Sequence, residues 1–260
     1  MACSGTDRAW QKFGKDDPYF GVLSQPRYRR QSISDVDLKS FFQSGQNYVH
    51  QMLAMARTRV DAPHHFRRVL DFGCGVGRLS IPLAEFAETV IAVDISPAML
   101  SEAKVNCQKR GITNIEFTES QTLLAASDQK FDLVHTYIVL QHIPTSRGLA
   151  IISQLVDLIT DHGIGVFHLT YAKANRNIRW ISWTKKWVPF AHNMINLLRG
   201  RPFSAPMMQM NDYDLNLVLG LLQKVGIEDF HAQFTDHGGY LGVSLYFKKP
   251  GHTATLALAA

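Results

Sequence analysis

The run Val69-Leu70-Asp71-Phe72-Gly73-Cys74-Gly75-Val76-Gly77-Arg78-Leu79 constrains this chain more than any other stretch. Its apolar lead-in reads as a buried strand, and Leu79, Ile81, Leu83 and Ala84 begin a helix-like pattern beyond it. Between them lies a glycine-punctuated turn. Strand, glycine turn and helix in that order make a nucleotide-type binding corner, because missing side chains let backbone N–H groups approach a ligand. The spacing narrows the choice. A dinucleotide fingerprint wants a third glycine where Arg78 stands, and a phosphate-cradling loop wants Gly-Lys-Ser/Thr, which is absent here.

A second run, Val90-Ile91-Ala92-Val93-Asp94-Ile95-Ser96, is apolar and ends on a carboxylate. It falls about twenty residues after the glycines, where a doubly wound sheet places the acid that takes ribose hydroxyls. Ser96-Pro97 then opens a helix with a capping serine and a first-turn proline. A third run is Phe131-Asp132-Leu133-Val134-His135-Thr136-Tyr137, followed by Ile138-Val139-Leu140-Gln141-His142-Ile143-Pro144.

With Asp-x-Gly-x-Gly-x-Gly first and the other two in this order, the chain resembles the class I S-adenosylmethionine (SAM) dependent methyltransferases of the small-molecule type. The resemblance implies an α/β, Rossmann-like fold. Its sheet is mostly parallel and seven-stranded, with a terminal antiparallel hairpin and helices on both faces. It implies SAM as methyl donor and S-adenosylhomocysteine (SAH) as product. Asp71, Gly73, Cys74, Gly75 and Gly77 then form the cofactor turn, with Asp71 either meeting the cofactor or only bracing the turn. Asp94 and Ile95 follow at the ribose, and Met99 lies against the adenine. Ser120 or Gln121 reads the base, although Phe117-Thr118-Glu119-Ser120-Gln121-Thr122 departs from the common Gly-Asp form. Thr136 and Tyr137 line the methionine part. The implied acceptor is an O or N atom of a metabolite.

Composition sets the remaining bounds. At 260 residues, one buried α/β core with an accessory segment is expected, and two full domains are disfavoured. Cys3, Cys74 and Cys107 have neither metal-ligand spacing nor disulfide density, so no metal is expected and a reducing cytoplasm is favoured. Met1 to Trp10 has no apolar signal core, and no apolar run nears the ~18 residues of a membrane span. The net charge of +5 is uneven: from Tyr171 to Asn211 seven Lys and Arg occur without one acid. The rest is close to neutral, which disfavours a nucleic-acid-coating protein. So does the absence of an Asn-Pro-Pro-aromatic tetrad after the fourth strand.

The chain divides into an N-terminal arm and helix at 1–60, read as a lid or cap, and a SAM-binding domain at 61–250. That domain carries an insertion at about 172–209, and a tail at 251–260 has little to pack. Strands are expected at 68–71, 89–94, 114–118, 131–136 and 164–170, with helices near 35–57, 78–87, 97–110, 146–160 and 212–225. Asp236-His237-Gly238-Gly239 joins two β-like runs at 230–235 and 240–247 into a hairpin. In the insertion, Trp180, Trp183, Trp187 and Phe190 recur at helical spacing among basic residues. Core packing, a substrate lid and a membrane-surface contact through 176–198 all fit that pattern, although Pro189 interrupts it. Candidate bases are His142, His237 and His168, since imidazole titrates near neutrality; His135, within a strand, reads as packed. A lipid or quinone methyltransferase on a membrane, and a SAM-fold protein without turnover, remain open, as does the oligomeric state.

Overall fold

The computed structural model of the chain describes residues 5–125, 129–174, 194, 206 and 208–251. The tryptophan-rich run 176–193, nearly all of the 172–209 insertion and the tail from 252 lie outside the described residues. The apolar runs form β1 (Phe66–Phe72), β2 (Ala87–Asp94), β3 (Ile115–Glu119), β4 (Phe131–Thr136) and β5 (Ile159–Lys173). The glycine turn joins β6 (Phe230–Asp236) to β7 (Tyr240–Lys248). Together they make one seven-stranded sheet in the order β3-β2-β1-β4-β5-β7-β6. Neighbours among β1 to β5 pair parallel, while β7 is antiparallel to both β5 and β6.

Side-chain alternation sorts the core onto the two faces of this sheet. Val69, Leu133 and Val166 point to one face and pack on Val49, Met52 and Leu53 of α3 (Asp35–Val60). Leu70, Val134 and Phe167 point to the other, against Ile152 and Leu155 of α7 (Thr145–Asp157) and Leu222 of α8 (Leu215–Lys224). Ser34 caps α3 in a reciprocal box with Asp37. At its far end Asp61 closes the helix in the left-handed region, φ 52°.

Several elements differ from the sequence expectation, each for a local reason. The 78–87 helix shrinks to α4 (Ser80–Leu83) and one 3-10 turn, because the Asn114 amide binds the carbonyls of Ala84 and Ala87 at 2.9 Å and ends it. Asp161-His162-Gly163, which falls between the expected helix at 146–160 and strand at 164–170, is an irregularity within β5. There the pairing with β4 shifts register, and His162 takes φ 61° while donating its N–H to Lys249. The N-terminal arm is helical: α1 (Gly5–Asp16) and α2 (Pro18–Val22) place Phe13 and Phe20 against Val76 and Met99. Met99 belongs to α5 (Pro97–Gln108), and a short α6 (Ser120–Ala125) follows β3.

A strap formed by residues 209–213 fixes the turn after β4. Asn211 N–H donates to the Gln141 carbonyl at 2.7 Å, and the Tyr213 hydroxyl meets the carbonyls of Leu140 and Ile143 at 2.8 and 3.1 Å. The Tyr213 phenol fits only because residue 148 on α7 is glycine; a Cβ there would collide with its oxygen. Gly148→Ala is therefore expected to destabilise the chain by about 1–3 kcal/mol through overpacking. Urea unfolding followed by circular dichroism reads this, and an unchanged midpoint would show that the strap yields freely.

Candidate functional site

The three motifs meet at the carboxyl ends of β1, β2 and β4, around a cavity of about 630 Å³. That volume lies within the usual range for a small-molecule or cofactor site. The glycine turn is bent back by two bonds, Gly73 N–H and Cys74 N–H to the Val93 carbonyl at 2.7 and 2.9 Å. Gly73 has φ 86°, and a Cβ at that position would run into the Val139 side chain. A side chain is excluded there on both counts.

Asp94 ends β2 facing this turn. One carboxylate oxygen accepts from Gly75 N–H at 3.0 Å and the other from Ser96 N–H at 2.9 Å. Each oxygen keeps a further lone pair for a hydroxyl donor. Burial pushes the carboxyl up to about 6, against the opposing bonds from Ser96, Gly75 and Ile95. Ser120 and Gln121 at the start of α6, with Met99 and Ile95, complete this end of the wall. Cys74 lines the wall too, but burial keeps its thiol protonated and it serves as backbone.

Asp71 is committed to the protein. Its Oδ2 accepts from the Ser80 hydroxyl at 2.6 Å, and its Oδ1 from Nδ1–H of the fully buried His135 at 3.0 Å. That fixes the imidazole, so Tyr48 donates to His135 Nε2 at 3.1 Å. Asp71 thus reaches the cavity wall with both oxygens already bonded.

Past β4 the backbone is strained. Ile138 lines the cavity at φ 57°, a left-handed conformation that costs a β-branched residue about 1–3 kcal/mol. It turns Tyr137 and Val139 toward the cavity on either side. His142 lies on the same wall, 5% exposed, with its ring 4.9 Å from that of Trp10 on α1. Its Nδ1 is 2.7 Å from the Gln209 carbonyl, so Nδ1 carries the proton and Nε2 holds the lone pair. Burial pushes this imidazole down to about 4.

Four expected positions fall outside the wall. Gly77 faces Ala103 and Ile81, which makes it a packing residue under α5. Thr136 is fully buried within the sheet. His168 is 1% exposed and bonded to the Thr235 hydroxyl at 2.9 Å, with burial taking its pKa to about 3. His237 is half-buried and stands behind Tyr137, the ring centroids 6.1 Å apart. The partition is physical: the Tyr137 ring stands between the cavity and this histidine pair, whose own rings are 5.1 Å apart.

Sequence reasoning missed the residues that α1 and α7 contribute. Asp7 of α1 and Arg147 of α7 both line the cavity and are joined by a 2.7 Å salt bridge. Arg78 lines it as well. Their contacts span sequence separations that no local pattern reveals. Among the described residues no group of His, Cys, Asp or Glu is arranged to hold a metal ion, and no helix is long and apolar enough to cross a membrane.

Strand order, glycine turn and strand-end acid define the fold of the class I SAM-dependent methyltransferases. Residues 69–163 match the family described as methyltransferase domain. Over 153 residues the chain is 29% identical to a ubiquinone biosynthesis O-methyltransferase of Cereibacter sphaeroides, covering 55% of this chain and 60% of that one. It is 34% identical over 128 residues to a 23S rRNA (uracil(747)-C(5))-methyltransferase of Vibrio vulnificus, covering 48% of this chain and 32% of that protein. The chain thus spans about three fifths of the length of the first of these relatives, and less of the second. The crystal structure of magnesium protoporphyrin IX methyltransferase from Synechocystis PCC 6803 with bound SAH superposes with a TM-score of 0.60. It is 23% identical, covers 90% of this chain and 97% of its own, and shares the fold.

Proposed function

We propose that the chain is a SAM-dependent methyltransferase acting on an oxygen or nitrogen of a small molecule. The observation that carries this reading is Asp94, held by two backbone N–H bonds at the end of β2 and facing a glycine turn where a Cβ does not fit. SAM suits the residues present: Asp94 would hold the ribose hydroxyls, Gly73 and Gly75 would lie under the ribose and sulfur, and Met99 with Ser120 or Gln121 would bound the adenine. Bound there, SAM supplies a methyl group on a sulfonium, already activated for attack. The protein's work is then to position the acceptor and receive its proton.

His142 is the favoured base, because it alone of the three candidate histidines lines the cavity, and its Gln209 bond directs the lone pair to Nε2. His237, with Tyr137 before it, is the second candidate. With a pKa near 4, His142 stays neutral and ready to accept at physiological pH. It is a weak base, which suits an acidic hydroxyl. The ubiquinone biosynthesis O-methyltransferase relative supports an oxygen acceptor. The experiment is SAH release from SAM with catechols, hydroquinones, a porphyrin carboxylate and primary amines. Release with the hydroxylated or carboxylated compounds supports the reading; release only with amines moves it to nitrogen. SAM binding without release in any arm favours a non-catalytic protein.

A pH dependence follows from Asp94. The ionised carboxylate accepts the ribose hydroxyls, so binding weakens as pH falls through about 6, where burial places its titration. Affinity for SAH is expected to fall about tenfold between pH 7 and pH 5. Calorimetry across that range checks it, and the Asp94→Asn variant should show a flat profile. A flat wild-type profile would mean that the carboxyl titrates lower or makes no contact.

A further inference from the structure

We propose that Trp10 is a positioning residue, holding the His142 imidazole in the plane that presents Nε2 to the acceptor. This rests on the reading of His142 as the base. The Trp10 ring lies on the cavity wall, its centroid 4.9 Å from that of His142 and its plane inclined at 56°. The Gln209 carbonyl holds Nδ1 at 2.7 Å. The second side-chain torsion of a histidine is broad, so that one bond leaves the ring free to tilt. An indole packed against the imidazole restricts this tilt and keeps water from that side.

α1 carries Trp10 to this place because the helix is fixed on both sides of it. At its start Asp7 pairs with Arg147 of α7. Further on, Gly14 lets α1 lie flush on the donor wall: a Cβ there would collide with the Ser96 hydroxyl and crowd Met99. Between these points the Trp10 ring packs on Phe13, the centroids 5.4 Å apart, and Phe13 joins the cluster of Val76 and Met99. Trp10 thus bridges the donor wall and the base. Burial is what lowers the His142 pKa, opposed only by the Gln209 carbonyl. Of the charged side chains around it, Asp7 and Arg147 on the cavity wall pair with each other, and Asp212 of the strap pairs with Lys173. Misplacing a catalytic group by about 1 Å costs up to ~10²-fold in rate, so a ring that fixes the base matters to turnover.

The test compares Trp10→Leu and Trp10→Phe with wild type in the full chain, each checked for folding by thermal melting. Leucine keeps an apolar contact for Phe13 but loses the flat ring, which phenylalanine retains. Nuclear magnetic resonance of the histidine rings, with the His142 signal assigned by its loss in His142→Asn, needs no acceptor. The His142 midpoint is expected to rise from about 4 toward the ordinary 6.5 in Trp10→Leu and to stay low in Trp10→Phe. SAH release with the catechol and hydroquinone acceptors should fall about 10-fold or more in Trp10→Leu, with SAH affinity unchanged. Trp10→Phe should recover most of that loss. In a His142→Ala background, Trp10→Leu should cost nothing further. An unmoved His142 midpoint in Trp10→Leu, or a loss of turnover that persists in the His142→Ala background, overturns the proposal. Slow turnover in His142→Ala beside normal turnover in Trp10→Leu overturns it alone. Normal turnover in His142→Ala removes the base reading and the proposal with it.

Discussion

Asp94→Ala is expected to weaken SAH binding by about 10- to 150-fold, the value of about 1.5–3 kcal/mol for hydrogen bonds to an ionised acceptor. The carboxylate also ties Gly75 N–H to Ser96 N–H, so the variant loosens the glycine turn. Asp94→Asn separates the two contributions, because its amide oxygen keeps one backbone bond while the negative charge is lost. Calorimetry with SAH, beside thermal melting of each variant, reads the outcome. If a folded Asp94→Ala protein binds SAH as wild type does, the ribose assignment is wrong.

His142→Ala is expected to lower turnover by about 10²-fold or more while leaving SAH affinity nearly intact, as for loss of a general base. The structure changes the pH signature that the sequence alone suggests. An unperturbed histidine would give an ascending limb near neutrality, but burial moves His142 to about 4. A limb near pH 6 is therefore expected to follow Asp94 and to persist in the His142 variant, appearing in the affinity for donor. His142→Asn retains a donor for the Gln209 carbonyl and should show the same loss of turnover without loss of stability. If His142→Ala retains near-normal turnover and His237→Ala does not, the base lies behind Tyr137. If the double variant also retains it, positioning alone carries the reaction.

The parts of the fold legible in the sequence are those set by local pattern. The end of β2 falls at the expected residue, Asp94, because a buried parallel strand reads as a continuous apolar run, here Val90-Ile91-Ala92-Val93. The hairpin was visible in Gly238 and Gly239, both at positive φ. β5 begins at Ile159, earlier than expected, because the polar Thr160-Asp161-His162 that follow do not read as strand, and the register shift opposite Phe131 and Leu133 absorbs them. The helical character of α1 was hidden in a short mixed-charge stretch whose apolar residues pack on Val76 and Met99, far along the chain.

The site divides along the same line. Gly73, Gly75 and Asp94 belong to one strand-turn-helix-strand unit, so spacing alone brings them together. The Gln209 bond to His142 and the Arg147–Asp7 pair link residues 67 and 140 apart, and only the folded chain makes them neighbours. Tyr137 reads from sequence as a residue of the methionine wall, but its role as a partition from His168 and His237 depends on hairpin packing. Arg78 was visible only as the residue that spoils a dinucleotide fingerprint.

Calorimetric titration of the purified chain with SAH, NAD and ATP under identical conditions tests the donor site most directly. One SAH is expected to bind saturably per chain, with no comparable heat from NAD or ATP. Absence of SAH binding, or NAD or ATP binding as tightly as SAH, would contradict it.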